Sequence, residues 1–391
     1  MFNEEGHLKH PIRWGLVGGG RGSEIGYAHR AAAARDRLFT FVAGAMDVDP
    51  ERCRDFGVNL GLAPSRCYPD YKTMFSAETR RDDGIQAVSI ATPNSTHYEI
   101  AKAALEANLH VICEKPVTFN VSEAEELKAL AEEKNRMFAV MYGYTGHQMI
   151  HQAREMIKRG DIGDIRVVNM QFAHGFHNIE VEKHSPGAKW RMNPEVSGPS
   201  FILGDCGTHA FYLAGLITGL KVKSLMCSRQ SFVASRAPLE DNAHVVFNFE
   251  GGAVGTLWAS AINAGSMHQQ KIRIVGEKAS LEWWDEYPNQ LRYEVQGEPV
   301  RILERGMSYL YSENPAIGAN RIGGGHAEGF FESWANLYHR FALAIDAIER
   351  VDAAFLEDHW YPDINAGIDG VRWVNACVRS ADDGAKWVDY E

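Results

Sequence analysis

Asp205 and His209 stand four positions apart in Leu-Gly-Asp-Cys-Gly-Thr-His, a run that opens onto the apolar stretch Ala210 to Leu220. At helical spacing two such side chains share one face. A carboxylate beside an imidazole is a base with its support: the ring takes a hydroxyl proton near neutrality and the carboxylate stabilises the cation formed. The same residues admit a plainer reading, with Asp205 as a helix cap and His209 as a satisfied core residue. A third reading is a metal site, since Cys206, His209, His174 and His177 offer thiol and imidazole ligands. Cys206 would point away from His209 on a helix, and we expect no metal.

A second reactive group is Lys115. Val111-Ile112-Cys113 reads as a buried strand that stops at Glu114-Lys115-Pro116, and open parallel sheets bind ligands at the carboxyl ends of their strands. The proline biases Lys115 away from helical dihedrals and sets the direction of the exit. A surface lysine at a strand end is the alternative.

The stretch Ile12 to His29 offers a place for a dinucleotide. It reads as strand, tight turn and helix. Gly18 and Gly20 supply the permissive dihedrals and the close backbone approach that a pyrophosphate requires. Simple GxGxxG spacing would put the third glycine at Ser23, whereas the next usable one is Gly26, so the turn reads as enlarged. A second apolar run, Leu38 to Ala45, ends in Met46-Asp47, and an acid there is placed to accept both ribose hydroxyls of NAD. No arginine directly follows Asp47, so a 2′-phosphate would meet a carboxylate with no obvious compensating cation. That favours NAD, with NADP the alternative.

The elements that must hold these groups alternate. Asp49-Pro50-Glu51 starts a helix, Tyr71 to Ala77 is helical, Gln86 to Ala91 is strand, Tyr98 to Ala107 is helix and Leu109 to Cys113 is strand. Ser122 with Glu125 reads as a capping box, and Met137 to Tyr142 is one more strand. The expected first domain covers residues 10–143 and is a parallel, doubly wound Rossmann unit. Residues 144–391 change character: a helix near Met149 to Arg159, a long aperiodic stretch from His174 to Phe201 that reads as a lid, then a run of strands. Gly251-Gly252 between two alternating runs is a hairpin turn, so this second α/β domain carries a large, mixed, mostly antiparallel sheet with an open face. Helices near Phe330 to Glu349 and Ile364 to Ser380 are expected to cover part of that face and a second subunit the rest.

With 391 residues, 45% of them hydrophobic and 23% charged, the composition is that of an ordinary globular protein. A net charge of −11 argues against nucleic acid or an anionic membrane as partner. A small neutral substrate fits better. The six cysteines are scattered without a CxxC pair, Met1-Phe2-Asn3-Glu4-Glu5 is acidic with no apolar run behind it, and no stretch is long and apolar enough to span a bilayer. The expectation is a reduced, cytoplasmic protein.

The Gly18–Gly26 turn, Ala91-Thr92-Pro93-Asn94 with His97, Glu114-Lys115-Pro116, Arg154 to Gly163 and Asp205 to His209 together resemble the Gfo/Idh/MocA oxidoreductases, the glucose–fructose oxidoreductase and inositol dehydrogenase family. The resemblance covers nearly the whole chain. It implies cofactor contacts from Gly18, Gly20, Arg21, Gly26, Asp47, Thr92, Pro93, Asn94, His97, Glu114 and Lys115. It also implies that Lys115, Asp205 and His209 are catalytic, with Lys115 holding the reacting oxygen and His209 the general acid/base. Trp190, Arg191 and His326 look like substrate contacts of the longer members that act on sugars, inositols or glycosides. One departure is Tyr144-Thr145-Gly146-His147, which stands where many members have Asn-x-Arg, so contacts there are not carried over. The implied activity is NAD-dependent oxidation of a ring hydroxyl of a sugar, glycoside or inositol by a homodimer or homotetramer built through the second sheet. The alternatives are an NADPH-dependent keto-sugar reductase and a non-enzymatic nucleotide-binding sensor or co-repressor. A sensor would not require Lys115, Asp205 and His209 together.

Overall fold

The computed structural model describes residues 8–391; the acidic start Met1 to Glu5 lies outside them. The chain forms two compact units, one of residues 8–143 with Trp334–Ile368 and the other of Tyr144–Ser333 with Asp369–Glu391. The chain changes units after Gly143. Assigning everything beyond that point to the second domain is corrected for Trp334–Ile368, which returns to the first.

The first unit is built on strands β1 (Ile12–Gly18), β2 (Phe39–Ala45), β3 (Ala87–Ala91), β4 (His110–Cys113) and β5 (Phe138–Val140), all parallel in the order β2-β1-β3-β4-β5. All of β4 and β5 is buried, as is most of β1, the pattern of strands covered on both faces by crossover helices. The helix Pro50–Asn59 starts as its sequence directs, with Asp49 Oδ1 accepting from Glu51 N at 2.9 Å and Arg52 N at 3.2 Å. The helix Val121–Lys134 starts earlier than expected. Asn120 is its cap, accepting from Glu123 N at 2.9 Å, and Ser122 donates to Asn120 instead of capping. From Trp334 onward the helix Phe330–Glu349 lays Leu337, Tyr338, Phe341 and Ile345 into the core of Trp14, Ala28, Ala32 and Phe39.

The second unit contains a nine-stranded sheet: β6 (Ile165–Ala173), β7 (Val222–Gln230), β8 (Asn242–Phe249), β9 (Val254–Ser260), β10 (Gln270–Gly276), β11 (Ala279–Trp284), β12 (Gln290–Val295), β13 (Arg301–Glu304) and β14 (Val388–Asp389), ordered β13-β12-β11-β10-β6-β9-β8-β7-β14. Only β6 and β9 pair in parallel, so the sheet is mixed and mostly antiparallel. Gly251 and Gly252, at φ +80° and +95°, turn β8 into β9 where the glycine pair predicts a hairpin. One face is covered by the helices Gln148–Lys158 and Thr208–Thr218 and by Trp373, Ala376 and Cys377. On the other, His244 stacks on Trp258 at 5.9 Å and Val254 is 44% exposed. The helix Phe330–Glu349, expected to help cover this sheet, joins the first unit from Trp334 onward instead.

All six cysteines are free thiols. Among the described residues no helix is long and apolar enough to cross a membrane.

Candidate active site

At the end of β1, Gly18 and Gly19 adopt φ +75° and +64°, and Gly19 N donates to Ala91 O at 3.0 Å. A Cβ on Gly20 would lie 2.3 Å from Met46 O, and one on Gly26 would lie 2.1 Å from Gly19 O and 2.4 Å from Gly19 Cα. Gly26 therefore does the close helix-to-turn packing for which simple spacing would use position 23. Ser23 caps the helix Glu24–Arg35, its Oγ accepting from Gly26 N at 3.0 Å. A bare backbone cradle at a helix N-terminus fits a pyrophosphate. Arg30 fastens the turn by donating to Gly19 O at 2.7 Å, and the guanidinium groups of Arg21 and Arg30 lie 5.2 and 5.1 Å from the centre of the Phe56 ring.

Asp47 accepts from Asp49 N at 2.9 Å and from Arg52 Nη2 at 2.8 Å, and these contacts hold its carboxyl below the usual range. Arg52 corrects the expectation that this position lacks a compensating cation. It approaches from five residues on, through the first turn of the next helix.

Glu114 and Lys115 leave the end of β4. Glu114 N donates to Ile90 O at 3.1 Å, while its carboxylate meets His29 Nε2 at 3.1 Å. His29 Nδ1 lies 2.7 Å from Tyr338 Oη, which is 2.7 Å from Ser89 Oγ, and Trp14 Nε1 donates to that serine at 2.9 Å. All five side chains are buried. Burial pushes the Tyr338 phenol well above its ordinary value, so it stays a donor at every working pH. The Lys115–Pro116 peptide is cis. His97, expected to touch a cofactor, is corrected to a strut: fully buried, it places Nδ1 2.8 Å from Pro116 O and Nε2 2.9 Å from Thr92 O. It ties the Glu-Lys-Pro exit to the Thr92-Pro93-Asn94 turn, and burial lowers its pKa against the pull of the two carbonyls. Thr96 Oγ1 closes that turn, donating to Pro93 O at 2.8 Å and lying 2.8 Å from Thr92 Oγ1.

In the second unit Asp205 lies in a π-turn, Leu203–Gly207, that runs into the helix Thr208–Thr218 with helical dihedrals at the junction. Asp205 is therefore not the helix cap. Its Oδ2 pairs with Arg191 Nε at 3.3 Å, with both side chains about a third exposed (31% and 29%). The His209 ring meets Tyr144 edge-on at 5.0 Å and Phe172 at 6.2 Å. The His174 and His177 rings lie 5.4 Å apart, and both feel the charge of Asp205. Burial lowers both, His174 to about 4, while Asp205 pulls the other way, so they serve as neutral donors and acceptors rather than cations. Among the described residues no three potential ligands come together to hold a metal ion.

Trp190 and Arg191 lie on the short helix Pro186–Arg191, the guanidinium 4.7 Å from the indole centre. Trp190, Lys189 and Met192 help line an open recess of about 700 Å³. The stretch read as a lid is tethered near its start: buried Arg236 donates to His177 O at 2.6 Å and Ile179 O at 2.7 Å, and pairs with Glu182 at 3.0 Å. His326 is exposed, and its carbonyl accepts from Arg305 at 2.6 Å. Its neighbour Glu328, buried against Arg305 at 3.2 Å and Gln148 at 2.9 Å, fastens that segment.

Sequence reasoning passed over His268 and Asp285. Tyr144 Oη lies 3.1 Å from His268 Nε2, and His268 Nδ1 bonds the Asp285 carboxylate. The available signal was the hairpin around Glu277-Lys278, whose register places residue 285 opposite 270.

Residues 12–142 match the family model of the NAD-binding Rossmann fold of an oxidoreductase family, and residues 154–389 match that family's C-terminal alpha/beta domain. The chain is 56% identical to the uncharacterized oxidoreductase YfiI of Bacillus subtilis, over 100% of both chains. It is similar to a solved inositol dehydrogenase homolog of Azotobacter vinelandii complexed with NAD+, at 60% identity and TM-score 0.98 over 100% of both chains. A structure of an inositol dehydrogenase homolog from the same organism, with NADH and myo-inositol, matches at 59% identity and TM-score 0.95, covering 99% of this chain and 100% of that one.

Proposed function

The chain belongs to the Gfo/Idh/MocA oxidoreductase family, and from that premise we propose that it oxidises a ring hydroxyl of a cyclitol or sugar with NAD, myo-inositol being the first substrate to test. The observation that carries this reading is the match over nearly the whole chain to a protein complexed with NADH and myo-inositol. Gly18 and Gly20 hold the pyrophosphate, aided by Arg21, with Gly26 letting the helix pack closely on the turn. Asp47 accepts from the adenosine ribose, and Thr92, Pro93, Asn94, Glu114 and Lys115 line the nicotinamide end. NAD, when bound, supplies the hydride acceptor. His209 takes the hydroxyl proton, and Lys115 stabilises the developing alkoxide with a charge-assisted hydrogen bond. Asp205 organises Arg191, His174 and His177, while Trp190 and His326 contact the outer part of the substrate. The open sheet face seats a second copy in a homodimer or homotetramer, and the free thiols suit a reducing cytoplasm.

The test is a panel of inositols, hexoses and glycosides with NAD, following the absorbance of the reduced cofactor. The reading expects turnover of at least one cyclitol or sugar; none with either NAD or NADP would overturn it.

Arg52 gives the NADP alternative a specific observation, and Asp47 is the residue that decides. In the Asp47→Ala variant, NAD affinity is expected to fall roughly tenfold or more, because the diol loses a charged hydrogen-bond acceptor. NADP affinity should hold or improve, because Arg52 is released from its carboxylate. Equal losses in fluorescence titrations with the two cofactors would make Asp47 structural.

A further inference from the structure

We propose that Tyr144, His268 and Asp285 form a relay that recognises a second hydroxyl of the substrate, next to the one oxidised; this rests on the reading of His209 as the base for a polyhydroxylated ring. The hydrogen bonds set the direction of the relay. Asp285 is a carboxylate with a side chain only 6% exposed, one oxygen accepting from Gln270 N at 3.0 Å and the other bonded to His268 Nδ1. A carboxylate only accepts, so Nδ1 carries a proton, and in the proposed relay Nε2 is the acceptor. The atom 3.1 Å from Nε2 is Tyr144 Oη, which must then donate its proton. A phenolic oxygen that donates its proton still has lone pairs with which to accept from a ligand's O–H.

Its surroundings suit a cyclic polyol. The Tyr144 ring packs edge-on against His209 at 5.0 Å. Phe172 lies 5.8 Å from Tyr144 and 4.5 Å from His268, and Phe330 lies 5.9 Å from Tyr144. These aromatic faces meet the C–H face of a saturated ring, while Tyr144 and His209 serve hydroxyls at its edge. Tyr144 is only partly buried and the His268 side chain is 31% exposed, so both are within reach of a ligand. Tyr144 is then the specificity residue, with His268 and Asp285 positioning residues that act through it.

The test uses the full-length enzyme with saturating NAD and with NADH. Tyr144→Phe is expected to raise KM for the polyol about tenfold while kcat stays within threefold, the size of one lost oriented hydrogen bond. His268→Gln should do the same, and the double variant should be no worse than Tyr144→Phe alone, since the residues act as one unit. In a series of monodeoxy analogues, one should bind wild type and Tyr144→Phe equally, because it lacks the recognised hydroxyl. Calorimetric binding of myo-inositol to the NADH complex keeps the two readings apart. A wild type that binds polyol without oxidising it overturns the catalytic reading alone, and binding equal in wild type and Tyr144→Phe overturns the relay alone. A protein that neither binds nor oxidises any polyol overturns both, and additive losses in the double variant would also overturn the relay.

Discussion

Lys115→Ala is expected to lower kcat by a hundredfold to a thousandfold, about the loss seen when one charge-stabilising donor is removed from a reacting oxygen. The cofactor should bind nearly as before. The backbone that carries Lys115 is held by contacts its side chain does not make: Glu114 N on Ile90 O, the Glu114 carboxylate on His29, and Pro116 O on His97. Truncation therefore removes an ammonium and leaves the loop in place. The ammonium matters most when negative charge develops on the substrate oxygen, so the loss should fall on kcat and kcat/KM together. Turnover within threefold of wild type would remove Lys115 from the mechanism.

His209→Asn is the second large effect. A base must be unprotonated to accept a proton, so kcat/KM for alcohol oxidation should rise with pH through the range where histidines ordinarily titrate, roughly pH 6 to 7. Asparagine approximates the shape but cannot take the proton. The ascending limb should vanish along with a hundredfold to ten-thousandfold of the rate, while NAD affinity by fluorescence titration is unchanged. His174 does not supply the limb: burial holds it near 4, so it is already neutral across this range. A variant that keeps the same limb would move the titrating role to Lys115 coupled with Asp205.

What the sequence made legible was local. The Gly18–Gly26 turn, the Asp49 cap and the Gly251-Gly252 hairpin each follow from backbone demands met within a few residues, and each stands where those demands put it. Partners far along the chain were harder to read. The helix beginning at Phe330 showed an apolar face, but such a face does not say which core it enters, and from Trp334 it enters the core around Trp14 and Phe39. Arg52 is not adjacent to Asp47 in the chain, yet the first turn of the following helix brings it, five places on, within 2.8 Å. His97 stood among the cofactor contacts by resemblance alone, and its burial between two carbonyls depends on a loop almost twenty residues later. The Asp205–His209 spacing suggested one helix face, whereas Asp205 lies in the π-turn that leads into the helix carrying His209. The carboxylate's ion pair with Arg191, from a different helix, was beyond what spacing can show.

The most direct test of hydride transfer from a ring carbon is to follow the label. Carbon-perdeuterated myo-inositol, or whichever polyol proves the best substrate, is incubated with the enzyme and NAD, and the NADH is analysed by mass spectrometry. The account predicts one deuterium per NADH formed, with turnover slowed wherever the transfer limits the rate. Unlabelled NADH, or loss of polyol without reduction of the cofactor, would contradict it.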